Sequence, residues 1–311
     1  MAVATLEQMV AEARRLGPVA VAVAAADDPE VLAGMAEAQQ AGLAVCTLIG
    51  DQRRIEQMSA GLDLVGAAVI HEPEVYAAAQ RAVDLARAGQ VQVVVKGQLK
   101  TGDLLRACLD RNRGLRRRSL LAHVGVFEIR GLDRLLYVSD SGVVLAPNLE
   151  QKLEILRLAV EVAHRFGLEK PRVAVLAASE TLRPGMTVGI EALALARMAQ
   201  QGAVEDAWVD GPLSLDAAVL STAAAAKGVR GPVAGQADVL IVPSVESGNT
   251  MAKAIQYLGG GHMAGLVVGA KVPIIINSRS DNAETRFHSL AMAVLLSREA
   301  QGGERAVNVA S

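Results

Sequence analysis

The sequence has very few aromatic residues and only two cysteines. Phe, Tyr and Trp make up 2% of the chain, although 51% of its residues are hydrophobic. The interior must therefore be built from Ala, Val, Leu and Ile, a composition typical of helices packed closely on a parallel sheet. Cys46 and Cys108 stand in no metal-ligand spacing. This argues against a disulfide framework and fits a reducing compartment.

The chain also lacks an excess of either charge. Its 31 basic and 33 acidic residues leave a net charge of −2. Nucleic-acid and membrane surfaces need a basic excess, so neither partner is expected. The first residues carry acids at helical spacing instead of the apolar run of a signal peptide. The longest apolar run, AGLVVGAKVPIII, is interrupted by Lys271 and Pro273 and falls short of the ~20 residues of a membrane span. We therefore expect a soluble, cytoplasmic protein.

Apolar runs alternate with helical patterns along the whole chain. Runs such as VAVAVAAA, VQVVVKG and ADVLIVPS are each followed by apolar residues at helical spacing. This alternation predicts an α/β fold with parallel sheets and helices on both faces. In the second half, LDAAVLSTAAAA is predicted as one helix and VPIIINSR as the last strand. A chain of 311 residues exceeds what one core usually organises, which predicts two domains.

Polar turns follow several predicted strands, at the position where ligands bind in open α/β sheets. They are Lys96-Gly97, Asp210-Gly211-Pro212, Pro243-Ser244 and Ser278-Arg279. Gly and Pro are ordinary turn residues, so a single turn of this kind identifies no site. The Ser278-Arg279 pair is more specific, because a guanidinium offers a planar fork of donors to phosphate oxygens. The following helix offers its first N–H groups to the same anion, so we expect a phosphorylated ligand here.

Other charged and titratable residues have weaker signals. Residues 111–118, RNRGLRRR, form either a solvated loop or a docking patch for a polyanion such as a nucleotide diphosphate. The histidines are scattered and none lies beside a serine-containing elbow in sequence, which disfavours a Ser-His-Asp triad and a zinc site. The dinucleotide fingerprint GxGxxG and the P-loop pattern are absent, so a Rossmann or P-loop nucleotide site has no sequence support.

Six segments occur in the order seen in the phosphate acetyl/butyryl transferases, and the chain resembles this family over roughly residues 90–297. The segments are VKGQLKTGDLLRACLD, HVGVFEI, VSDSGVVLAPN, WVDGPLSLDAA, PVAGQADVLIVPSVESGN and INSRSDNAE. The resemblance is closer to the phosphate butyryltransferase branch, whose members carry a similar MKG…T…LRA block, VFEI and SRADSAE. It implies a homodimer of two-domain subunits similar to the isocitrate and isopropylmalate dehydrogenase architecture, with the active site in the interdomain cleft.

The two domains have predicted boundaries. Residues 1–145 with 270–311 should form one discontinuous α/β domain, and residues 146–269 the other. The reason is that the segment carrying Ser278 must join the half that carries Arg106, since the resemblance gives both residues to one site.

The resemblance also implies an activity, the reversible transfer of a short acyl group between coenzyme A and inorganic phosphate. Coenzyme A is then a substrate, and neither a tightly bound cofactor nor a metal is expected. Ser278 and Arg279 match the family's catalytic Ser-Arg pair, and Arg106 matches an arginine that contacts phosphate or acyl phosphate. The substrate-binding residues implied are Arg106, Lys96, Thr101, Asp210, Gly248 and Asn249.

One position departs from the acetyl branch. That branch has a catalytic aspartate seven residues after the serine, where this chain has Thr285. Glu284 is the nearest carboxylate, and the butyryl branch also has a glutamate at this point. Asp281 and Glu284 have the spacing of a capping box as well. The base is therefore either Glu284 or no side chain at all, with the positive field of Arg279 and Arg106 favouring the thiolate.

Two other functions stay open. A decarboxylating dehydrogenase of the same architecture would need clustered metal-binding aspartates, and the sequence spacing offers no such cluster. A non-catalytic protein that binds acyl-CoA or a phosphate ligand would be consistent with the missing aspartate. The length of the acyl chain does not follow from the sequence, although the resemblance favours a butyryl-type over an acetyl-type substrate.

Overall fold

The computed structural model describes residues 2–278 and 280–307, with side chains as far as residue 297. The fold is α/β, as the alternation of runs predicts. Elements before residue 120 are α1 (Leu6–Leu16), β1 (Val19–Ala24), α2 (Pro29–Gln40), β2 (Ala44–Gly50), α3 (Gln52–Met58), β3 (Ala68–His71), α4 (Val75–Arg87), β4 (Val93–Lys96) and α5 (Thr101–Cys108).

The middle of the chain continues the alternation. Its elements are β5 (Ala122–Glu128), β6 (Leu136–Ser139), α6 (Leu149–Arg165), β7 (Arg172–Leu176), α7 (Thr187–Met198), β8 (Trp208–Leu213), α8 (Leu215–Val219), α9 (Ser221–Ala226), β9 (Val239–Ile241) and α10 (Val245–Lys253). The last elements are β10 (His262–Val268), β11 (Ile274–Ile275) and α11 (Ala283–Val307).

The described chain divides into two compact units. The terminal unit contains Glu7–Ser119 and the described residues from Ala264 onward. The central unit contains residues 2–6 and Leu120–Met263, so that residues 120–145 belong with the segment that follows them. The domain boundaries expected at residues 145 and 270 stay a prediction about the intact protein.

Three details differ from the sequence prediction. The segment predicted as one helix forms α8 and α9 instead, because Leu220 between them has an extended backbone with φ −119° and ψ 117°. The last predicted strand is shorter than expected, since β11 covers only Ile274–Ile275 before the chain turns. β10 was not predicted, because its apolar residues and those of β11 look like one run in the sequence, although Gly269 and Pro273 separate them.

In the terminal unit, the strands follow the order β3-β2-β1-β4-β11-β10. Neighbouring strands are parallel from β3 to β11, and β10 is antiparallel to β11. The centre of β1 and β4 consists of buried Ala and Val side chains. Small and β-branched residues of this kind suit a sheet covered on both faces, which accounts for the low aromatic content.

In the central unit, the order is β5-β6-β9-β7-β8. β5 is antiparallel to β6, as expected for two strands with no helix between them, and the other neighbours are parallel. Two of the few aromatic rings meet in this core, where Tyr137 and Phe166 pack edge to face with centroids 5.8 Å apart. Edge-to-face pairing is a favourable arrangement for aromatic quadrupoles.

A buried carboxylate anchors one end of this central sheet. Asp238, directly before β9, has a side chain only 4% exposed. Its oxygens accept bonds from Arg172 Nε at 2.9 Å, Arg172 Nη2 at 2.7 Å and Arg172 backbone N at 2.8 Å. Arg134 Nε lies 3.8 Å from the same carboxylate. Because a buried charge is costly without partners, these bonds fix the start of β7 against β9.

We expect Asp238→Asn to lower the free energy of unfolding by roughly 1–3 kcal/mol, because it removes the buried anion that accepts three hydrogen bonds from Arg172, whose side chain is 30% exposed. Urea denaturation followed by circular dichroism measures this as a lower midpoint at unchanged slope. The matched control is Asp133→Asn, since Asp133 contacts Arg134 with a side chain that is 94% exposed and exposed ion pairs contribute little. Equal midpoints for the two variants would contradict the prediction.

Candidate functional site

The carboxyl ends of β1, β4 and β11 lie side by side at one edge of the terminal unit. β4 pairs in parallel with β1 through Ala24 and Lys96, and with β11 through Val95 and Ile275. The turns that leave β4 and β11 therefore start next to each other. This brings the turn after Lys96 and the turn that contains Ser278 to the same edge, where open α/β sheets bind their ligands.

The turns after β1 and β4 are in very close contact. Ala24 O and Ala25 O accept bonds from Gly97 N at 2.8 Å and Gln98 N at 2.7 Å. A Cβ atom on Gly97 would lie 2.0 Å from Ala25 O, so only glycine fits there. Ala25 itself has a positive φ of 53°. A non-glycine residue in this conformation is strained, and such residues cluster at binding and catalytic sites.

The turn after β4 leads into α5, which carries further predicted site residues. Lys96 Nζ donates to Gly97 O at 3.2 Å and Leu99 O at 3.5 Å, so its side chain lies along its own turn. Thr101 is the first residue of α5 and is half-buried. Arg106 is 65% exposed and 3.1 Å from the Asp103 carboxylate, and its guanidinium carbon lies 4.5 Å from the Tyr76 ring centroid. The Arg106 charge is therefore stacked on an aromatic face and open to solvent.

The described residues after β11 include a polar group, Asn277, Ser278, Ser280 and Asp281, which we call the elbow. Ser278 N donates to Asp281 Oδ2 at 2.8 Å, and Asp281 N donates to Ser278 O at 3.1 Å. The exposed hydroxyl of Ser278 is 3.0 Å from Ser280 Oγ, and Asn277 Nδ2 lies 3.4 Å from the Asp281 carboxylate. Two main-chain bonds thus hold the serine at the surface. Arg279 lies outside the described residues.

The start of α11 differs from the predicted capping box. The helix begins at Ala283, and Asn282 Oδ1 accepts the bond from Thr285 N at 2.8 Å. Asn282 is therefore the cap, while Asp281 is engaged with the elbow. Thr285, at the position of the acetyl branch's aspartate, is buried, whereas Glu284 is exposed. The two side chains face different surroundings because one residue along a helix turns a side chain by about 100°.

In the central unit, the turns after β6 and β9 also lie together. The ends of these strands pair in parallel through Ser139 and Ile241. A Cβ atom on Gly248 would lie 2.5 Å from Asp140 O, so this position also requires glycine. Asn249 Nδ2 donates to a main-chain oxygen of the turn after β6 at 3.4 Å. The predicted residues Gly248 and Asn249 therefore lie against that turn.

Asp210 does not occupy the predicted turn. It lies within β8 and pairs with Ala174 of β7, and its carboxylate accepts a bond from Gly211 N at 2.8 Å. The Gly-Pro pair signalled a strand end, but the strand continues through it to Leu213 by a shift of register. The expectation that Asp210 follows a strand was wrong for this reason.

Sequence reasoning missed a histidine–serine pair in the central unit. His123 Nδ1 is 2.8 Å from Ser141 Oγ, a pairing created by the antiparallel ladder of β5 and β6. The two residues are 18 apart in sequence and meet only through the fold, so the absence of neighbouring His and Ser residues in the sequence gave no sign of the pair. Asp140 does not complete a triad, because its carboxylate accepts backbone N–H bonds from residues 142, 143 and 144 at 2.7, 2.9 and 3.1 Å. Ser141 is also only 4% exposed.

The arginine run, residues 111–118, is partly tied into the terminal unit. Arg116 forms an antiparallel bridge with Ala270, and Arg113 pairs with the Asp84 carboxylate. These contacts give the run a structural role between α4 and the segment before β11. Binding of a polyanion there stays a prediction.

The two cysteines are core residues. Cys46 and Cys108 are 1% and 0% exposed, and burial raises the pKa of both thiols to about 12. Neither forms a thiolate nucleophile near neutral pH. No three His, Cys, Asp or Glu side chains of the described residues form a metal-binding group. Within the same residues, no helix is long and apolar enough to cross a membrane.

Comparison with known proteins places this architecture in a family. The family model described as phosphate acetyl/butaryl transferase matches residues 72–294. A phosphate butyryltransferase from Clostridium acetobutylicum is 38% identical, with 89% of this chain and 92% of the relative covered. A phosphate acetyltransferase from Thermotoga maritima is 37% identical, with 93% and 99% covered.

A solved structure agrees with these relatives. The crystal structure of a branched-chain phosphotransacylase from Enterococcus faecalis V583 has a TM-score of 0.81 and 31% identity, and the alignment covers 89% of this chain and 98% of that one. The resemblance seen in the six sequence segments is confirmed, and the chain belongs to the phosphate acetyl/butyryl transferase family.

Proposed function

We propose that this protein transfers a short acyl group between coenzyme A and inorganic phosphate, so that acyl-CoA and phosphate interconvert with acyl phosphate and free coenzyme A. The observation that carries the proposal is the 38% identity to a phosphate butyryltransferase over 92% of that enzyme. The parallel pairing of β4 and β11 supports it, because it brings the Ser278 elbow beside the Lys96 turn.

The chemistry needs a thiolate, because a free thiol with a pKa of roughly 8.5 is mostly protonated at neutral pH. In one direction, the coenzyme A thiol loses its proton and attacks the carbonyl carbon of the acyl phosphate. The new C–S bond forms as the C–O bond to phosphate breaks, and phosphate leaves with the electron pair. In the other direction, phosphate attacks the thioester and the leaving thiolate regains a proton.

We assign the catalytic roles to Ser278, Arg279 and Glu284. Ser278 would hydrogen-bond the thiol or the carbonyl oxygen, which its exposed hydroxyl at the sheet edge supports. Arg279 would hold the phosphoryl oxygens and stabilise charge in the transition state. The exposed guanidinium of Arg106 would bind the same anion. Further substrate contacts are proposed for Lys96, Thr101, Asp210, Gly248 and Asn249.

The thiolate could be generated in two ways. Glu284 is exposed in the first turn of α11, six residues after Ser278. This supports Glu284 as the base. Alternatively, Arg279 and Arg106 stabilise the thiolate without a dedicated base. The missing aspartate at Thr285 also favours a second candidate function, that of a non-catalytic acyl-CoA or phosphate-ligand binding protein.

Mixing the purified protein with acyl-CoA and phosphate should release free coenzyme A, and butyryl-CoA should react faster than acetyl-CoA. We expect this with a chelator present, because no step above requires a metal. A thiol reagent measures the release at pH 8, and the protein's own buried cysteines should contribute no signal before denaturation. The control omits phosphate. Absence of phosphate-dependent release from any short straight or branched acyl-CoA would favour the binding-protein alternative.

Arg279→Gln should lower turnover roughly a hundredfold, because it removes the charge and the bidentate fork from the transition state while keeping a donor. Steady-state kinetics and the melting temperature are measured together. A stable variant with turnover within a few-fold of the parent would show that Arg279 is not catalytic.

Glu284→Gln decides between the two ways in which the thiolate could be generated. If Glu284 is the base, turnover should fall while the melting temperature stays unchanged, since Gln is similar in size and helix preference. Equal turnover of Glu284→Gln and the parent across the pH range would instead indicate that the positive field of Arg279 and Arg106 stabilises the thiolate without a side-chain base.

We further propose a cytoplasmic homodimer, as the family resemblance implies. Val188 and Ile190 on α7 are exposed apolar side chains. This supports a subunit interface on the central unit that would cover them. Light scattering should give a mass near twice 32.4 kDa. A mass of one chain at assay concentrations would exclude the dimer.

A further inference from the structure

Arg286 is a mostly buried arginine that the sequence analysis passed over. Its side chain is 12% exposed, while that of its partner Glu30 is 69% exposed. Arginine is rarely buried unless its charge and donors are used. A mostly buried guanidinium this close to the elbow therefore calls for a physical reason.

The contacts of Arg286 join two segments that are distant in sequence. Nη2 donates to Ser278 O at 3.3 Å and to Glu30 Oε2, also at 3.3 Å. A Cβ atom placed on Gly34 would lie 3.8 Å from Arg286 Cδ, so the arginine stem packs along α2. The charge and the stem of Arg286 are thus both held by α2, and its donor reaches the elbow.

The carbonyl that Arg286 contacts belongs to the proposed catalytic serine. Ser278 O also accepts the bond from Asp281 N at 3.1 Å, so Arg286 supplies its second bond. Removal of a charged donor from a carbonyl leaves an acceptor to be satisfied by water and loosens the backbone it held. Since the Ser278 hydroxyl moves with that backbone, the orientation of the hydroxyl depends on Arg286.

We propose that Arg286, held by Glu30, is a positioning residue that fixes the elbow so that Ser278 meets the reacting groups. This inference rests on the proposed acyl transfer to phosphate. It assigns Arg286 no contact with substrate. Its effect is expected on turnover, because misplacement of a catalytic group by about 1 Å can cost up to a hundredfold in rate.

Arg286→Gln should therefore lower kcat by about tenfold or more and change KM for acyl-CoA little. Arg286→Lys keeps the charge facing Glu30 and one donor, and should restore most of the rate. Arg53→Gln is the matched control, because Arg53 is an exposed arginine of the same unit and its loss changes the net charge equally. Parental kcat in Arg286→Gln would overturn the proposal.

A double-mutant cycle with Ser278→Ala tests whether Arg286 acts through the serine. The double variant should be no slower than Ser278→Ala alone, since the group being positioned is already gone. If the losses of kcat in the two single variants multiply in the double variant, Arg286 does not act through Ser278 and this part of the proposal is overturned.

Hydrogen exchange of the elbow peptide gives a readout that does not depend on activity. Amides of residues 278–282 should exchange faster in Arg286→Gln than in the parent, and at the parental rate in Arg53→Gln. Unchanged exchange in Arg286→Gln would overturn the positioning role. If the parent protein itself transfers no acyl group, the proposed function fails, and the exchange comparison still decides whether Arg286 holds the elbow.

Discussion

The parallel pairing of β4 with both β1 and β11 is the constraint on which the candidate site depends. It joins strands from the two ends of the chain and sets their outgoing turns side by side. Gly97 allows the turns after β1 and β4 to touch main chain to main chain, at a distance no side chain would permit. This packing stabilises the strained backbone conformation of Ala25, as expected where many neighbouring contacts fix the conformation of one residue.

The sequence was sufficient for the fold class, and it singled out the turn that contains Ser278 as a candidate site. Alternating runs of Val and Ala predicted the parallel strands, because a sheet covered on both faces needs apolar residues throughout. The Ser278 turn was found because a hydroxyl and a guanidinium are unusual after a buried strand. Asp210 was misplaced, since Gly-Pro signals a strand end and a change of register between β7 and β8 leaves no trace in local sequence.

Contacts between residues distant in sequence could not be predicted in the same way. The His123–Ser141 bond depends on the register of an antiparallel ladder. The bond from Arg286 to Ser278 O depends on how α11 packs on α2, where Gly34 leaves room for the arginine stem. The cap of α11 was assigned one residue early, because Asp281 and Asn282 are both good cap residues and only the structure shows Asp281 committed to the elbow.

The central claim is that phosphate, and not water, accepts the acyl group. Phosphorus NMR of the protein with butyryl-CoA and phosphate observes this directly, because an acyl phosphate has its own resonance. The account predicts that this resonance grows with the loss of inorganic phosphate, and that it disappears when excess free coenzyme A is added. Release of coenzyme A with the phosphate resonance unchanged would mean hydrolysis of the thioester and would contradict the account.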